Sequence, residues 1–251
     1  MRKVIAGSGG PSRAPGGWRG RGWCPIQQAL ISITSHDQSS ASEIAAGAAH
    51  ALNNLLGVLY AESSYLEAPA DPKGVERARV ALDQACASAT ALSAALSLLG
   101  LSARDVEAAG RGTGFMLDVE SQREILGMLS EAAGVPVPAD PRLFAVVARL
   151  DRDTLRSLLI CGAFVLRRNG GPVAELRCAV RGPARDPDGV ERLSFDIGGP
   201  APATPTGGRL YRHPCAIALD HAAALLPGLG VGIDQSTPSF VRVALQVGAQ
   251  R

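Results

Sequence analysis

The sequence predicts an α+β protein in which an antiparallel helical hairpin is followed by an α/β sandwich. Three observations predict it. Residues 40–99 hold two long runs with apolar positions at three- and four-residue steps, divided by a short Pro/Gly break. Residues 119–247 mix helical periods with short stretches of near-alternating apolar residues, the pattern of helices laid on a sheet. The chain has 251 residues, 46% hydrophobic but only 4% aromatic, so its core must be built from Ala, Leu and Val, a mix that favours helices.

The elements follow in order. Residues 1–38 form an arm rich in Gly, Pro and Arg that cannot bury enough surface to offset its ordering entropy, so disorder is expected there. Residues 39–101 form the hairpin. Ser39, Ser40 and Ser42 are N-cap candidates, with Glu43 completing a capping box. Ile44, Ala48, Ala51, Leu55, Val58, Leu59, Glu62 and Leu66 then fall on one stripe, apolar except for Glu62, of a helix running to about residue 67. After the break at residues 69–74, a second helix over 75–99 carries Leu82, Cys86, Ala89, Leu92, Ala95, Leu96 and Leu99 on one face. Two helices with narrow stripes need two more to close a core, so dimerisation into a four-helix bundle is expected; packing of the hairpin on its own C-terminal half is the alternative.

Residues 102–118 read as a Gly/Arg-rich linker. The second domain, 119–251, begins with a helix over 119–133 and strand-like residues 144–150. A helix follows over 153–168, with Asp151 and Asp153 as caps. Strands are expected over 172–181, 190–197 and 240–247, with a helix over 213–226. That order describes helices on one face of a mixed sheet.

Composition bounds the function. The formal net charge of +2 argues against an obligate nucleic-acid binder. No run approaches the ~18 uninterrupted apolar residues of a membrane span, and the basic start lacks a signal-peptide core, so a cytoplasmic protein without a membrane partner is expected. The five cysteines (24, 86, 161, 178 and 215) have no CxxC spacing and read as small buried hydrophobes. His213 and His221 lack a third ligand, so no metal site is expected.

The stretch His50-Ala51-Leu52-Asn53-Asn54-Leu55-Leu56 resembles the phospho-acceptor box of two-component histidine kinases, where an acidic residue follows the histidine. Here that position is Ala51. The resemblance extends over about residues 40–247 and implies that the second domain is a degenerate form of the kinase ATPase sandwich. It implies His50 as the phospho-acceptor and Asn54 as a group that positions a phosphoryl oxygen or a water. Helical geometry agrees: His50 is rotated by roughly 100° from the stripe residue Ala51, and Asn54 lies one turn on, on the same face as His50.

Three nucleotide signatures of that family are altered. Counting back from Gly170-Gly171, the metal-orienting Asn-Ala pair becomes Gly162-Ala163. The adenine-reading Asp-x-Gly-x-Gly becomes Asp196-Ile197-Gly198-Gly199-Pro200, so Asp196 binds a cofactor only if ATP is bound at all. The glycine loop that cradles phosphate becomes Tyr211-Arg212-His213-Pro214-Cys215, and Gly228-Leu229-Gly230 reads as a turn.

Loss of the base and of the nucleotide motifs both imply a dimeric histidine phosphotransferase of a phosphorelay. It would pass phosphate between response-regulator aspartates through His50, with no cofactor of its own and with Mg²⁺ supplied by the partner receiver domain. A divergent histidine kinase that still uses ATP and a non-catalytic receiver-binding adaptor are the alternatives.

Overall fold

The computed structural model describes residues 48, 57, 72–112, 114–136, 142–170, 176–185, 188–199, 213–237 and 239–247. His50, Asn54 and the N-terminal arm lie outside them. Of the first hairpin helix only Ala48 and Gly57 are described; both are helical, and Gly57 is exposed.

The α+β class is confirmed. The described elements are α1 Pro72–Leu99, α2 Ala103–Gly110, β1 Phe115–Leu117, α3 Val119–Ala133, β2 Val146–Ala148, α4 Arg152–Gly170, β3 Arg177–Arg185, β4 Glu191–Gly198, α5 Pro214–Leu225, β5 Val231–Thr237 and β6 Phe240–Gln246. A 3₁₀ turn, Leu226–Leu229, joins α5 to β5, which places Gly228-Leu229-Gly230 in a turn as expected. β1 and β2 pair antiparallel in a small sheet, and the main sheet runs β3-β4-β6-β5.

Every pairing in the main sheet is antiparallel, which corrects the expected mixed sheet. The cause is β5, which the sequence reading missed. Without it, β6 would return from α5 parallel to β4; the additional strand reverses the direction of β6. β5 is hidden because its inward row holds only Val231 and Ile233 before Gln235 interrupts it, although Val231 is buried and Ile233 packs against the core.

β3 also begins later than expected and continues through a register shift between Arg181 and Ala184. Pro183 lies in that bulge on an edge strand, where a missing N–H costs no ladder bond.

The linker expected over 102–118 contains α2 and β1. Ser102 and Asp105 cap α2 reciprocally: the Asp105 amide donates to Ser102 Oγ at 3.3 Å, and the Ser102 amide donates to Asp105 Oδ2 at 2.9 Å. α3 matches its expected bounds, with Asp118 accepting from the Ser121 amide at 2.7 Å and Gly134 stopping the helix at φ 61°. Asp151 caps α4 as expected, accepting from the Thr154 amide at 2.9 Å and the Thr154 hydroxyl at 2.7 Å.

Three layers result. α4 and α5 cover one face of the main sheet, and α1 lies on their other side. Sitting mid-sandwich, α4 buries Leu155, Leu158, Leu159, Cys161, Ala163 and Leu166. A fully buried leucine there contributes roughly 1.5–3 kcal/mol. Phe195, Leu193 and Ile197 on β4 and Val241, Val243 and Leu245 on β6 complete that core from the sheet.

α1 divides into two halves. Residues 91–99 are integrated with α4 and α5, with Ala91, Leu92, Ala94, Ala95, Leu98 and Leu99 all buried. Cys215 Sγ on α5 donates to the Ala91 carbonyl at 3.4 Å, an approach that the methyl side chain of Ala91 permits. Nearer the N-terminus only Ala78 and Ala85 are buried, while Val75 and Leu82 are 51% and 49% exposed and Cys86 is exposed. The expected stripe is therefore covered at Leu92, Ala95 and Leu99 and open at Leu82, Cys86 and Ala89. Over an 18-residue window α1 reaches a mean hydropathy of 1.2, which by length and composition alone would suit a bilayer. Its C-terminal half is spent on protein packing instead.

The cysteine reading holds for Cys161, Cys178 and Cys215 and is corrected for Cys86. A hydrogen bond to Cys215, with burial, pushes the Cys161 thiol well up. Burial, helped by the charge of Asp196, pushes Cys178 up to about 12. Thiolate is the reactive form. Among these four thiols, a disulfide reagent at neutral pH is expected to label Cys86 wherever this face of α1 is uncovered, and to spare the other three until the protein is unfolded. Rapid native labelling of Cys215, read by peptide mass, would contradict this packing.

Candidate functional site

The three positions where the resemblance places nucleotide contacts are all described, and each is used by the fold itself. Gly162 is buried on α4 against the sheet. A Cβ at Gly162 would lie 3.0 Å from Val241 Cγ1 and 3.6 Å from Ile197 Cδ1. The missing side chain is what lets the helix approach the strands, and no pocket wall is left there for a metal-orienting carboxamide.

Asp196 lies on the opposite face of the sheet. Its neighbours Phe195 and Ile197 point into the core, so strand alternation sends Asp196 outward, away from α4 and α5. It is nevertheless only 5% exposed, because two arginines cover it. Arg242, directly opposite on β6, donates Nε to Oδ1 at 2.8 Å and Nη2 to Oδ2 at 3.0 Å. Arg181 on β3 donates Nε to Oδ2 at 2.7 Å. Three of about four acceptor positions on the carboxylate are thus taken. Gly162 and Asp196 are not brought together, and Asp196 is committed to this ion-pair cluster.

Burial alone would push the Asp196 carboxyl up, but the hydrogen bonds and charge of Arg242, then of Arg181, outweigh it and hold the group below its ordinary value. A depressed folded pKa contributes stability that is present above the unfolded value of about 3.9 and is lost as pH falls below it. Asp196→Asn should therefore be less stable at neutral pH and show a flatter acid unfolding profile below about pH 4. Arg181 and Arg242 are 70% and 40% exposed and regain water when the carboxylate is removed, so the expected cost is about 1 kcal/mol rather than that of a fully buried pair. Chemical denaturation at pH 7 and at pH 3 measures both effects; an unchanged acid limb would exclude the assignment.

The third position is the N-terminus of α5. Helix N-termini hold phosphate through unsatisfied N–H groups. Here the first turn has none to offer: Pro214 has no N–H, the Cys215 amide donates to His213 Nδ1 at 3.2 Å, and the Ala216 amide donates to the His213 carbonyl at 2.9 Å. The His213 ring also packs against Phe164 with centroids 4.8 Å apart. His213 is a cap. His221 is tied elsewhere, its Nε2 3.1 Å from the Leu101 carbonyl. Among the described residues no group of three or more His, Cys, Asp or Glu side chains could hold a metal.

His50 and Asn54 fall outside the described residues, so their geometry rests on helical spacing alone. The sequence reading missed the arginines that engage Asp196. The signal was available in the alternation of β3 and β6, where Arg181 and Arg242 share the parity of outward-facing residues.

No protein-family model matches the chain, and no curated protein matches it. Among solved structures, one described as the 1.7 Å structure of a bacterial phosphotransferase superposes with a TM-score of 0.44 and 11% identity, covering 83% of this chain and 96% of that one. A likeness of that size leaves the function to be argued from the residues.

Proposed function

We propose that this protein is a histidine phosphotransferase of a two-component phosphorelay. His50 Nε2 attacks the phosphorus of a receiver aspartyl phosphate, the aspartate leaves as carboxylate, and the phosphohistidine then passes the group to a second receiver. An acyl phosphate is an activated donor, and the receiver brings its own magnesium, so the reaction does not need the acid that Ala51 replaces.

One observation carries the choice of phosphotransferase over kinase. Gly162, Asp196 and the His213-Pro214-Cys215 turn are each consumed by helix–sheet packing, an ion-pair cluster and a helix cap. Those uses compete directly with holding ATP. Mixing the protein with a phosphorylated receiver should produce acid-labile, base-stable phosphate on it. Label from radioactive ATP without any receiver would favour the kinase reading, and no phosphate from either source would favour the adaptor.

The phosphotransferase works as a dimer in this reading, through the open part of the α1 stripe. Val75, Leu82 and Ala89 recur at seven-residue spacing with Cys86 between them, the seam of a helix that expects a partner. Leu82 is about half exposed in the single chain, so Leu82→Asp should fold and yet be monomeric by light scattering at micromolar concentration. An unpaired carboxylate in a bundle seam costs several kcal/mol. A monomeric wild-type chain, or an unaltered dimer in the variant, would sink the assembly.

A further inference from the structure

Among the described residues, helices cover only one face of the main sheet, and its other face is rich in arginine. Strand alternation places Arg177 and Arg181 of β3, Arg192 of β4 and Arg242 of β6 there, against Asp196 and Asp234. The two acids are not equivalent. Asp196 is covered by Arg181 and Arg242, so the surface above it is guanidinium. Asp234 lies on the opposite edge strand, β5, and bounds the basic region.

The register also supplies a floor. Ser194, Ala244 and Gly232 stand side by side on β4, β6 and β5, next to Arg181 on β3, and none rises above the backbone by more than a hydroxymethyl. Arg192 extends toward β5, bringing Nη1 within 3.7 Å of the Cβ position of Gly232. Arg181 spends only its Nε on Asp196 and is 70% exposed, which leaves the outer edge of its fork toward solvent. A buried carboxylate that fixes two guanidinium groups lowers the entropy cost of their next hydrogen bonds.

We infer that this face docks a partner protein through a carboxylate-rich strip laid over β3 and β4. Arginine forks match carboxylates bidentately, and the low surface at Ser194, paired with Arg181 across β3 and β4, lets the partner's backbone approach. A nucleic acid fits less well. Among the described residues the aromatic ring on this face is Phe240, and it already lies under the Arg242 guanidinium at 5.2 Å rather than free for base stacking. The face is separated from α1 by the α4/α5 layer, so occupancy here does not compete with a partner on the hairpin helix.

The test uses the full chain and a short oligoglutamate peptide at low salt, read by amide chemical shifts and by fluorescence titration. The expected shifts concentrate at Arg181, Ser194, Arg192 and Ala244, and Arg181→Gln/Arg192→Gln should weaken binding at least tenfold. Glutamine retains a donor for Asp196, and Arg242 is left in place so that the carboxylate stays covered. A charge-matched control, Arg104→Gln/Arg123→Gln on α2 and α3, should stay within about twofold of wild type. Equal weakening by the control would reduce the effect to net charge and overturn the inference. Tighter binding of an oligonucleotide through the same arginines would overturn it in favour of nucleic acid. Phosphate on His50 plays no part in either readout, so the outcome is independent of the proposed transfer reaction.

Discussion

His50→Ala is expected to abolish phosphate uptake from a phosphorylated receiver while leaving the circular dichroism spectrum and melting temperature nearly unchanged. No other histidine lies between His36 and His213, so no neighbouring imidazole can substitute. The stability expectation follows from helical geometry. On the helix that the sequence predicts, His50 would fall roughly 100° around from Ala51, at the edge of the apolar stripe. Alanine is the best helix former, and edge substitutions usually change stability by no more than ~0.5 kcal/mol. Asn54→Ala should alter transfer or hydrolysis rates without affecting folding, because on the expected helix its amide would lie one turn from the group on His50. Uptake that survives in His50→Ala would move the chemistry to another residue.

Ala51 supplies the complementary experiment. Ala51→Glu restores the acid that the resembled kinases place beside their histidine, yet labelling from ATP is not expected. A general base contributes ~10²- to 10⁴-fold only to a donor already held in line. Radioactive label on His50 in that variant would show a working nucleotide site and sink the phosphotransferase reading.

The parts of the fold legible in the sequence were those with a strong local signal. α3, α4 and α5 are legible through their apolar positions, and α4 also through its cap at Asp151; their bounds fall within one or two residues of expectation. α2 was hidden because it is short and runs into the glycines and arginine at 110–114, which resemble a loop, although the Ser102/Asp105 box was present in the sequence. β5 was hidden because an edge strand needs only one inward row, and Val231 and Ile233 are too few to stand out. Missing it mis-set the direction of β6 and hence the sheet type, which shows how a short edge strand can decide topology.

The site was less legible than the fold. The sequence showed that Gly162, Asp196 and Pro214 depart from a nucleotide-binding pattern, but not what they do instead. Gly162 faces a strand some 80 residues away, and Asp196 is held by arginines from two different strands. Such uses depend on pairings distant in sequence, which periodicity cannot report.

Gly162→Asn, which restores the metal-orienting residue of the resembled kinases, is expected to destabilise the protein by about 2–5 kcal/mol and to confer no ATP binding. The cost has two parts. The new Cβ lies 3.0 Å from Val241 and 3.6 Å from Ile197, so the helix must shift or the strand must give, typically ~1–3 kcal/mol. The carboxamide is then buried among apolar side chains without a partner, roughly another 1–3 kcal/mol. The better helix propensity of Asn over Gly offsets only a few tenths. Gly162→Ala separates the parts: it keeps the tight Cβ contact, gains nearly 1 kcal/mol of propensity and should cost about 0–2 kcal/mol, well below the cost of Asn. For a chain of this length each kcal/mol moves the melting temperature by about 2–4 °C, so Asn and Ala at this position should differ clearly in calorimetry. ATP-Mg²⁺ titrated into Gly162→Asn should give no Kd tighter than about 10 µM, roughly −7 kcal/mol. The reason is geometric: Asp196 would still lie on the other face of the sheet, and the first turn of α5 would still have no N–H to offer a phosphate. A stable variant, or one that binds nucleotide, would mean that α4 does not rest on β6 through Gly162, and the structural case against ATP would fail with it.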